Sequence, residues 1–113
     1  MLNIWETTCS ACMSEMPELK KMAVEFEEKG GQIVGLVYDA TDDDLIAEAK
    51  EIAEDLGLNF VNLIPTEEMK EFFKAQAFPT TYFFNEKGEV AGDMVLGAAP
   101  AVYASRMNEM LGE

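Results

Sequence analysis

The sequence predicts an α/β fold in which helices flank a mixed central β-sheet. A short apolar run at residues 2–5, a helical pattern over 9–29 and a nearly all-apolar run at 32–38 follow one another, which is typical of a right-handed βαβ unit with parallel strands. Farther along, strand patterns at 77–84 and 89–96 flank a turn and predict an antiparallel hairpin. Parallel and antiparallel pairing together indicate a mixed sheet.

The first predicted helix begins at a pair of cysteines and ends at Gly30 and Gly31, which leave the helical conformation readily. Its apolar positions recur at helical spacing and predict one face packed on the sheet. These positions are Met13, Met16, Leu19, Ala23 and Phe26.

The middle of the chain, at residues 41–64, predicts an additional helix and strand. Thr41 is predicted to cap the helix, with Asp42, Asp43 and Asp44 in its first turn and Gly57 at its end. Aspartates of this kind also occur in calcium sites. The EF-hand spacing is absent, so we assign them to capping.

Two further helices are predicted in the second half of the chain. Thr66 caps one of them, and Pro100, which is favoured in a first helical turn, begins the last. The side chains predicted to face the core are Met69, Phe72 and Phe73 in the first, and Val102, Tyr103, Met107, Met110 and Leu111 in the second.

Composition excludes several classes of protein. The 113 residues are 49% hydrophobic and 27% charged, which fits one globular domain. Eight basic and 22 acidic residues give a formal net charge of −14, which repels nucleic acid and anionic membranes and favours basic or neutral partner surfaces. We therefore expect no nucleic-acid binding and no membrane contact by this domain itself.

Both cysteines of the chain lie at the predicted start of the first helix, as Cys9-Ser10-Ala11-Cys12. The thiolate is the nucleophile in disulfide exchange, and the free N–H groups and dipole of a helix N-terminus stabilise it. Cys9 is therefore predicted to be the attacking thiol. Cys12 lies one turn later on the same helix face, can close a disulfide with Cys9, and is predicted to be the resolving thiol.

Two cysteines can also hold a metal or form a purely structural disulfide. A zinc site needs about four ligands, usually Cys and His, and this chain has two Cys and no His. The missing His also argues against a copper metallochaperone. A disulfide that closes so short a loop adds little stability. Redox use is the favoured interpretation, with no metal and no bound cofactor, because the dithiol itself carries the electrons.

The strand before the C-x-x-C motif, the Phe78-Pro79-Thr80-Thr81 segment before the hairpin and the terminal helix together resemble the thioredoxin fold. Within it, the chain resembles the TlpA/ResA group of bacterial thiol-disulfide oxidoreductases. That resemblance includes Asn3-Ile4-Trp5, the Glu15-x-Pro17-Glu18-Leu19 segment, and the helix and strand inserted before the proline half of the fold. It covers almost the whole chain.

The resemblance implies a thiol-disulfide oxidoreductase with Cys9 and Cys12 as its catalytic pair and Pro79 as a cis-proline packed beside their disulfide. Residues expected to bind substrate or tune the thiols are Trp5, Thr8, Phe78 and Glu15. The implied partners are protein disulfides or dithiols and an electron-donor protein. We expect a monomer. The resemblance favours a location outside the cytoplasm, secreted or membrane-anchored through a missing N-terminal segment, with a cytoplasmic location as the alternative.

Departures from the family pattern concern the redox direction. Thr8, Ser10 and Ala11 replace an aromatic residue and a proline that are common around the family's cysteines, and such neighbours help set thiol pKa and potential. Carboxylates of Glu6 and Glu15 would disfavour the thiolate if they lie nearby, and solvated positions are equally compatible with the sequence. We expect a reductant or isomerase rather than a strong oxidant.

Two alternative functions stay open. A peroxiredoxin-like peroxidase shares the fold, but Leu2 and Glu6 stand where its P-x-x-x-T-x-x-C pattern has Pro and Thr. A non-catalytic thioredoxin-like interaction module is the other alternative.

The chain starts directly in its first predicted strand, at Met1 and Leu2. Four or five residues are few for a central strand. We therefore expect a single domain, residues 1–113, that is truncated at its N-terminus and that a native upstream segment would stabilise.

Overall fold

A computed structural model describes residues 1–112, which form a five-stranded sheet with helices packed against it. In chain order the elements are β1 (Leu2–Trp5), α1 (Ser10–Glu28), β2 (Val34–Val37), α2 (Asp43–Asp55), β3 (Val61–Leu63), α3 (Glu67–Phe73), β4 (Thr80–Tyr82), β5 (Val95–Leu96) and α4 (Pro100–Met110). The predicted α/β class, including the inserted helix and strand, is confirmed.

β1 occupies the centre of the sheet, whose strand order is β3-β2-β1-β4-β5. It runs parallel to β2 and antiparallel to β4, with Ile4 opposite both Leu36 and Thr80. β2 and β3 are parallel, whereas β4 and β5 are antiparallel, so the predicted mixed sheet is confirmed. All four residues of β1 are buried. The expected truncation upstream of this strand stays a prediction.

Helices cover both faces of the sheet, which gives three layers. Successive residues of a strand point to opposite faces. On one face Trp5 packs with apolar residues of α1, α2 and α4. On the other, Ile4 packs in a cluster with Met69 and Phe73 of α3. None of the helices within residues 1–112 is long and apolar enough to cross a membrane.

Helix ends largely follow the predicted capping residues. Gly30 has a φ angle of 91° just after α1, and the Thr66 hydroxyl accepts a hydrogen bond from an amide in the first turn of α3 (3.1 Å). The cap of α2 is Asp42 rather than the predicted Thr41. The Asp42 carboxylate accepts a hydrogen bond from the Leu45 amide (2.9 Å), and a carboxylate also interacts favourably with the helix dipole.

The returning strand of the hairpin is shorter than predicted. The sequence predicts a strand over 89–96, whereas only β5 pairs with β4, and Val90 makes an isolated bridge. Gly92 has a φ angle of 77°, and this left-handed conformation interrupts an extended strand. The predicted turn at residues 85–88 forms, and it precedes this interruption in the chain.

Three apolar side chains predicted to face the core are substantially exposed. These are Phe72 (66%), Val102 (44%) and Met110 (37%). In each helix a neighbour enters the core instead: Phe73 packs in the α3 cluster and Tyr103 is completely buried. The apolar stripe is a little narrower than the sequence predicts, because the sequence pattern does not specify how each helix is rotated about its axis.

Gly35 of β2 makes room for a side-chain hydrogen bond that passes over this strand. The Trp5 indole Nε1 of β1 donates to Asn62 Oδ1 of β3 (3.0 Å). A Cβ atom at Gly35 would collide with Asn62 Oδ1 and lie 3.1 Å from Trp5 Nε1. A glycine is therefore required wherever this bond is kept.

Gly35→Ala is expected to lower the free energy of unfolding by about 1–3 kcal/mol, because the added methyl group overpacks the Trp5–Asn62 contact. Chemical denaturation measures the loss. In an Asn62→Ala background the same substitution should cost much less, because the colliding side chain is gone. An equal loss in both backgrounds would contradict this explanation.

Candidate functional site

Cys9 lies where the chain leaves β1 and enters α1. Its amide donates to the Glu6 carbonyl (3.2 Å), its carbonyl accepts from the Met13 amide (3.2 Å), and it is the N-cap of α1. Cys9 and Cys12 form a disulfide, with their Cα atoms 5.2 Å apart. Cys9 is partly exposed, whereas Cys12 is completely buried. An external sulfur can therefore approach Cys9 but not Cys12.

The sulfur of Cys9 lies at the positive end of α1. The Cys12 amide, one of the N–H groups left free at the start of a helix, donates to Cys9 Sγ (3.1 Å). A helix N-terminus stabilises negative charge, so the same contact favours a thiolate at Cys9 once the disulfide is reduced.

Thr7 lies in the loop that contains Cys9, and its hydrogen bonds to Asp39 attach this loop to the end of β2. The Thr7 amide donates to both carboxylate oxygens of Asp39 (3.0 and 3.2 Å), and the Thr7 hydroxyl donates to Oδ2 (2.6 Å). Neither residue is identified by the sequence alone. The available signal is position, because each follows a parallel strand, and the carboxyl ends of parallel strands meet at one edge of a sheet.

Pro79 lies at the same edge of the sheet as the disulfide. β4 begins at Thr80, which pairs with Ile4 near the end of β1, so the residues before β4 adjoin the loop after β1. Pro79 is buried, and the Phe78–Pro79 peptide bond is cis, as the resemblance implies. The Gly97 amide, just after β5, donates to the Pro79 carbonyl (2.8 Å).

Tyr38, just after β2, holds the segment that leads to the proline. Its hydroxyl donates to the Lys70 carbonyl (3.0 Å) and accepts from the Ala75 amide (3.2 Å). Its ring packs on Phe78, with the ring centroids 5.5 Å apart, and the Lys70 ammonium lies 5.3 Å from its centre. The sequence carries no signal for Tyr38, because these hydrogen-bond partners are 32 and 37 residues away.

Glu15, one turn after Cys12, projects into the core and is only 3% exposed. Its Oε1 accepts from Asn3 Nδ2 (3.0 Å) and lies 3.3 Å from the Tyr103 hydroxyl. Its Oε2 has no hydrogen-bond partner within residues 1–112. Asn3 also donates to the Thr81 hydroxyl (3.1 Å). The partners of Glu15 are not apparent from the sequence, which predicts Tyr103 only as a core residue.

Burial raises the pKa of Glu15 above that of an ordinary glutamate, because the charged form loses its hydration. The two side-chain donors and the nearby Ala99 backbone amide oppose this shift, because they favour the charged form. The pKa of Glu6 is also raised, by partial burial and by the nearby Asp39 carboxylate. Both acids singled out in the sequence thus lie in environments that favour the protonated form.

The other predicted site residues differ in exposure. Thr8 is exposed beside Cys9, and Phe78 is partly buried. Trp5 is completely buried, so it does not reach a substrate at the surface, and its indole instead ties β1 to β3. A tuning role for Trp5 stays a prediction.

A groove of about 1020 Å³ lies at the opposite edge of the sheet, around the start of β1. Met1, Gly31, Phe84 and Leu111 are among the residues that line it, and no predicted site residue is. Residues 1–112 hold no group of three or more His, Cys, Asp or Glu side chains placed to bind a metal ion.

Related sequences connect this site with a protein family. The sequence profile of the AhpC/TSA family matches residues 1–95. The chain is 35% identical over 101 residues to the thiol-disulfide oxidoreductase ResA of Oceanobacillus iheyensis, which covers 87% of the chain and 49% of that protein. It is 28% identical over 90 residues to the thioredoxin-like protein YneN of Bacillus subtilis, in an alignment that covers 80% of this chain and 52% of that protein. The chain spans about half the length of these curated relatives.

Solved structures share the fold at lower sequence identity. A thiol:disulfide interchange protein of the thioredoxin family from Chlorobium tepidum superposes with a TM-score of 0.83 at 20% identity, covering 98% of this chain and 78% of that one. A secreted disulfide oxidoreductase of Mycobacterium tuberculosis superposes with a TM-score of 0.75 at 18% identity. The superposition covers 96% of this chain and 78% of that one. The fold is therefore thioredoxin-like.

Burial of Glu15 predicts that the oxidised protein loses stability as pH rises. Its raised pKa means that the folded state binds this proton more tightly than the unfolded state. Stability therefore falls between the unfolded pKa and the higher folded pKa. Glu15→Gln should remove this loss. Its free energy of unfolding should exceed that of the wild type by about 1–3 kcal/mol at about pH 8, but not at about pH 4.

Thermal denaturation of the oxidised protein across this pH range measures the difference, and the intact disulfide removes thiol titration from the comparison. Glu18→Gln is the matched control, because Glu18 is an exposed residue of the same helix, and it should follow the wild type. A difference between wild type and Glu15→Gln that does not change with pH would contradict the raised pKa.

Proposed function

Because the chain belongs to the AhpC/TSA family, we propose that it is a thiol-disulfide oxidoreductase whose Cys9–Cys12 pair exchanges with disulfides of protein substrates. The observation that carries this proposal is a disulfide at the N-terminus of α1 with one sulfur accessible and the other buried. Similarity to the thiol-disulfide oxidoreductase ResA of Oceanobacillus iheyensis supports the same reaction.

Reduction of a substrate proceeds in two displacements. The Cys9 thiolate attacks one sulfur of the substrate disulfide, so that a mixed disulfide forms and the other substrate sulfur leaves as a thiolate. The Cys12 thiolate then attacks Cys9 Sγ, which closes the Cys9–Cys12 disulfide and releases the second substrate thiolate. Two electrons pass to the substrate, and the protein ends oxidised.

Glu15 accepts the proton of Cys12 in this scheme. Cys12 is buried, and apolar burial raises the pKa of a thiol, so its deprotonation needs a nearby base. Glu15 is three residues farther along α1, and residues at this spacing are neighbours on a helix face. Its raised pKa brings it closer to neutral pH, where a general base is most effective. In the reverse reaction Glu15 returns the proton.

A substrate strand approaches Cys9 between Thr8 and the segment that contains Phe78 and Pro79. Thr8, which precedes Cys9 in the chain, is exposed. Proline has no N–H to donate, so Phe78 presents the neighbouring peptide group to the substrate backbone. Tyr38 supports this role by holding the segment through its hydroxyl and its ring.

An electron-donor protein re-reduces the disulfide after each turnover, and the domain works as a monomer. Its formal net charge of −14 favours partners with basic or neutral docking surfaces. We place the protein outside the cytoplasm, by analogy with the related structure described as a secreted disulfide oxidoreductase. Its sequence resemblance to the TlpA/ResA group favours the same location.

The proposed direction is reduction or isomerisation. Glu6 and Glu15 lie in or next to the site, and burial raises the pKa of both. Once either is ionised, its carboxylate opposes a stabilised thiolate nearby. A less stabilised thiolate makes the disulfide a weaker oxidant. Equilibration with glutathione should give a reduction potential of about −200 to −270 mV, and a value near about −120 mV would overturn this direction.

Substitution of Cys9 and substitution of Cys12 should have different effects on trapping of a substrate. Cys12→Ser keeps the first attack but lacks the resolving thiol, so it should accumulate a mixed disulfide with a protein substrate such as insulin. Cys9→Ser lacks the accessible nucleophile and should trap nothing. Non-reducing electrophoresis followed by mass spectrometry measures the trapped species, and reductant should release them.

Iodoacetamide provides an independent check on the reduced wild type, because it should alkylate Cys9 far faster than Cys12. Ser14→Ala, at a surface position of the same helix, is the control and should reduce insulin as the wild type does. Equal trapping by both cysteine variants would remove the assigned roles. Failure of the wild type to reduce insulin under any redox poise would favour the non-catalytic alternative.

A further inference from the structure

Tyr103 of α4 lies between two parts of the site. It is completely buried, and its hydroxyl oxygen is 3.0 Å from the Gly97 carbonyl oxygen and 3.3 Å from Glu15 Oε1. A phenol carries one proton, so Tyr103 donates fully to only one of these oxygens at a time. Which oxygen receives the proton depends on the charge of Glu15.

Gly97 links Tyr103 to the proline. Its carbonyl faces the Tyr103 hydroxyl, and its amide donates to the Pro79 carbonyl (2.8 Å). Gly97 therefore hydrogen-bonds to α4 on one side and to the segment before β4 on the other. A change in the Tyr103–Gly97 hydrogen bond acts directly on the residue that holds Pro79.

The hydrogen bonds of Tyr103 differ between the two charge states of Glu15. An ionised carboxylate is the stronger acceptor, so it draws the Tyr103 proton and leaves the Gly97 carbonyl without this donor. A protonated Glu15 can donate to the Tyr103 oxygen, and Tyr103 then donates to Gly97. Burial raises the pKa of Tyr103 to about 12, so the phenol keeps its proton in both states.

We propose that Tyr103 is a positioning residue that couples the ionisation of Glu15 to the Gly97 segment holding Pro79. The coupling deepens the proposed function, on which its catalytic meaning rests. When Glu15 takes the Cys12 proton, Tyr103 turns toward Gly97 and strengthens the support of the proline loop. The Cys9–Cys12 half of the site and the half that contains Pro79 thereby respond to the transfer of the same proton.

Few ionisable groups face this contact. On α1, the reduced Cys12 lies one turn before Glu15, and α4 contributes Tyr103 itself. Among the described residues, the sheet contributes the uncharged Asn3 and Thr81, and the backbone amide of Ala99 also faces Glu15. The titration of Glu15 in the oxidised protein, in which the thiols do not ionise, therefore reports this contact without another titrating neighbour.

Nuclear magnetic resonance of the oxidised protein tests the coupling. In the wild type, the amide signals of Gly97 and Thr80 should shift with the same pH midpoint as the Glu15 side-chain carboxyl carbon. Tyr103→Phe removes only the hydroxyl group. It should raise the Glu15 midpoint, because a donor to the carboxylate is lost, and should abolish the matching shift at Gly97.

Tyr82→Phe is the matched control, because it removes a phenol from the opposite face of the sheet and should leave both titrations unchanged. Glu15→Gln keeps Tyr103 and should abolish the shifts at Gly97 and Thr80, which tests the coupling even if Tyr103→Phe does not fold. Gly97 signals that do not follow Glu15 in the wild type, or that follow it unchanged in Tyr103→Phe, would overturn the proposal.

Insulin reduction links the coupling to the reaction. Tyr103→Phe should lower the rate near neutral pH about five-fold and move the pH profile toward higher pH. An inactive wild type with intact coupling would refute the proposed function alone. An active wild type without the coupled titration would refute the role of Tyr103 alone.

Discussion

Asn3 and Trp5 place hydrogen-bond donors inside the fully buried central strand, and the need to pair these donors ties the neighbouring elements together. A buried donor left without a partner costs about 1–3 kcal/mol. Asn3 donates to Glu15 of α1 and to Thr81 of β4, and Trp5 donates to Asn62 of β3. The strand that ends at the cysteine loop is thus fixed to three elements by side chains as well as by its backbone pairing.

Glu15 is the least favourable member of this arrangement for stability. A carboxyl group with one unpartnered oxygen in a protein core is destabilising when charged, and an apolar side chain at the same position of α1 would pack without this loss. Asn3 and Tyr103 hold its other oxygen and so define its position. An acid kept in the core one helical turn after a disulfide cysteine is typical of a site in which a perturbed pKa serves the proposed reaction.

The parts of the site that depend on local sequence could be predicted, and those that depend on distant contacts could not. Cys9 and Cys12 are recognisable because helix spacing alone brings them together. Tyr103 is placed in the core by its helical position, but nothing local shows that its hydroxyl meets Glu15, which is 88 residues away. The strand predicted over 89–96 is too long, because its apolar residues do not show that Gly92 adopts a left-handed conformation that interrupts it.

The two halves of the site are anchored to different elements, so their relative position depends on the register between β1 and β4. Thr7 fixes the Cys9 loop to the end of β2, and Gly97 fixes Pro79 from the side of β5. A slip of one residue would turn every side chain of a strand to the other face. Asn3 could then no longer reach both Glu15 and Thr81. Apolar packing, which keeps each side chain on its own face, and the buried hydrogen bonds of Asn3 therefore specify the same register. That register brings Pro79 to the edge of the sheet where the Cys9 loop begins.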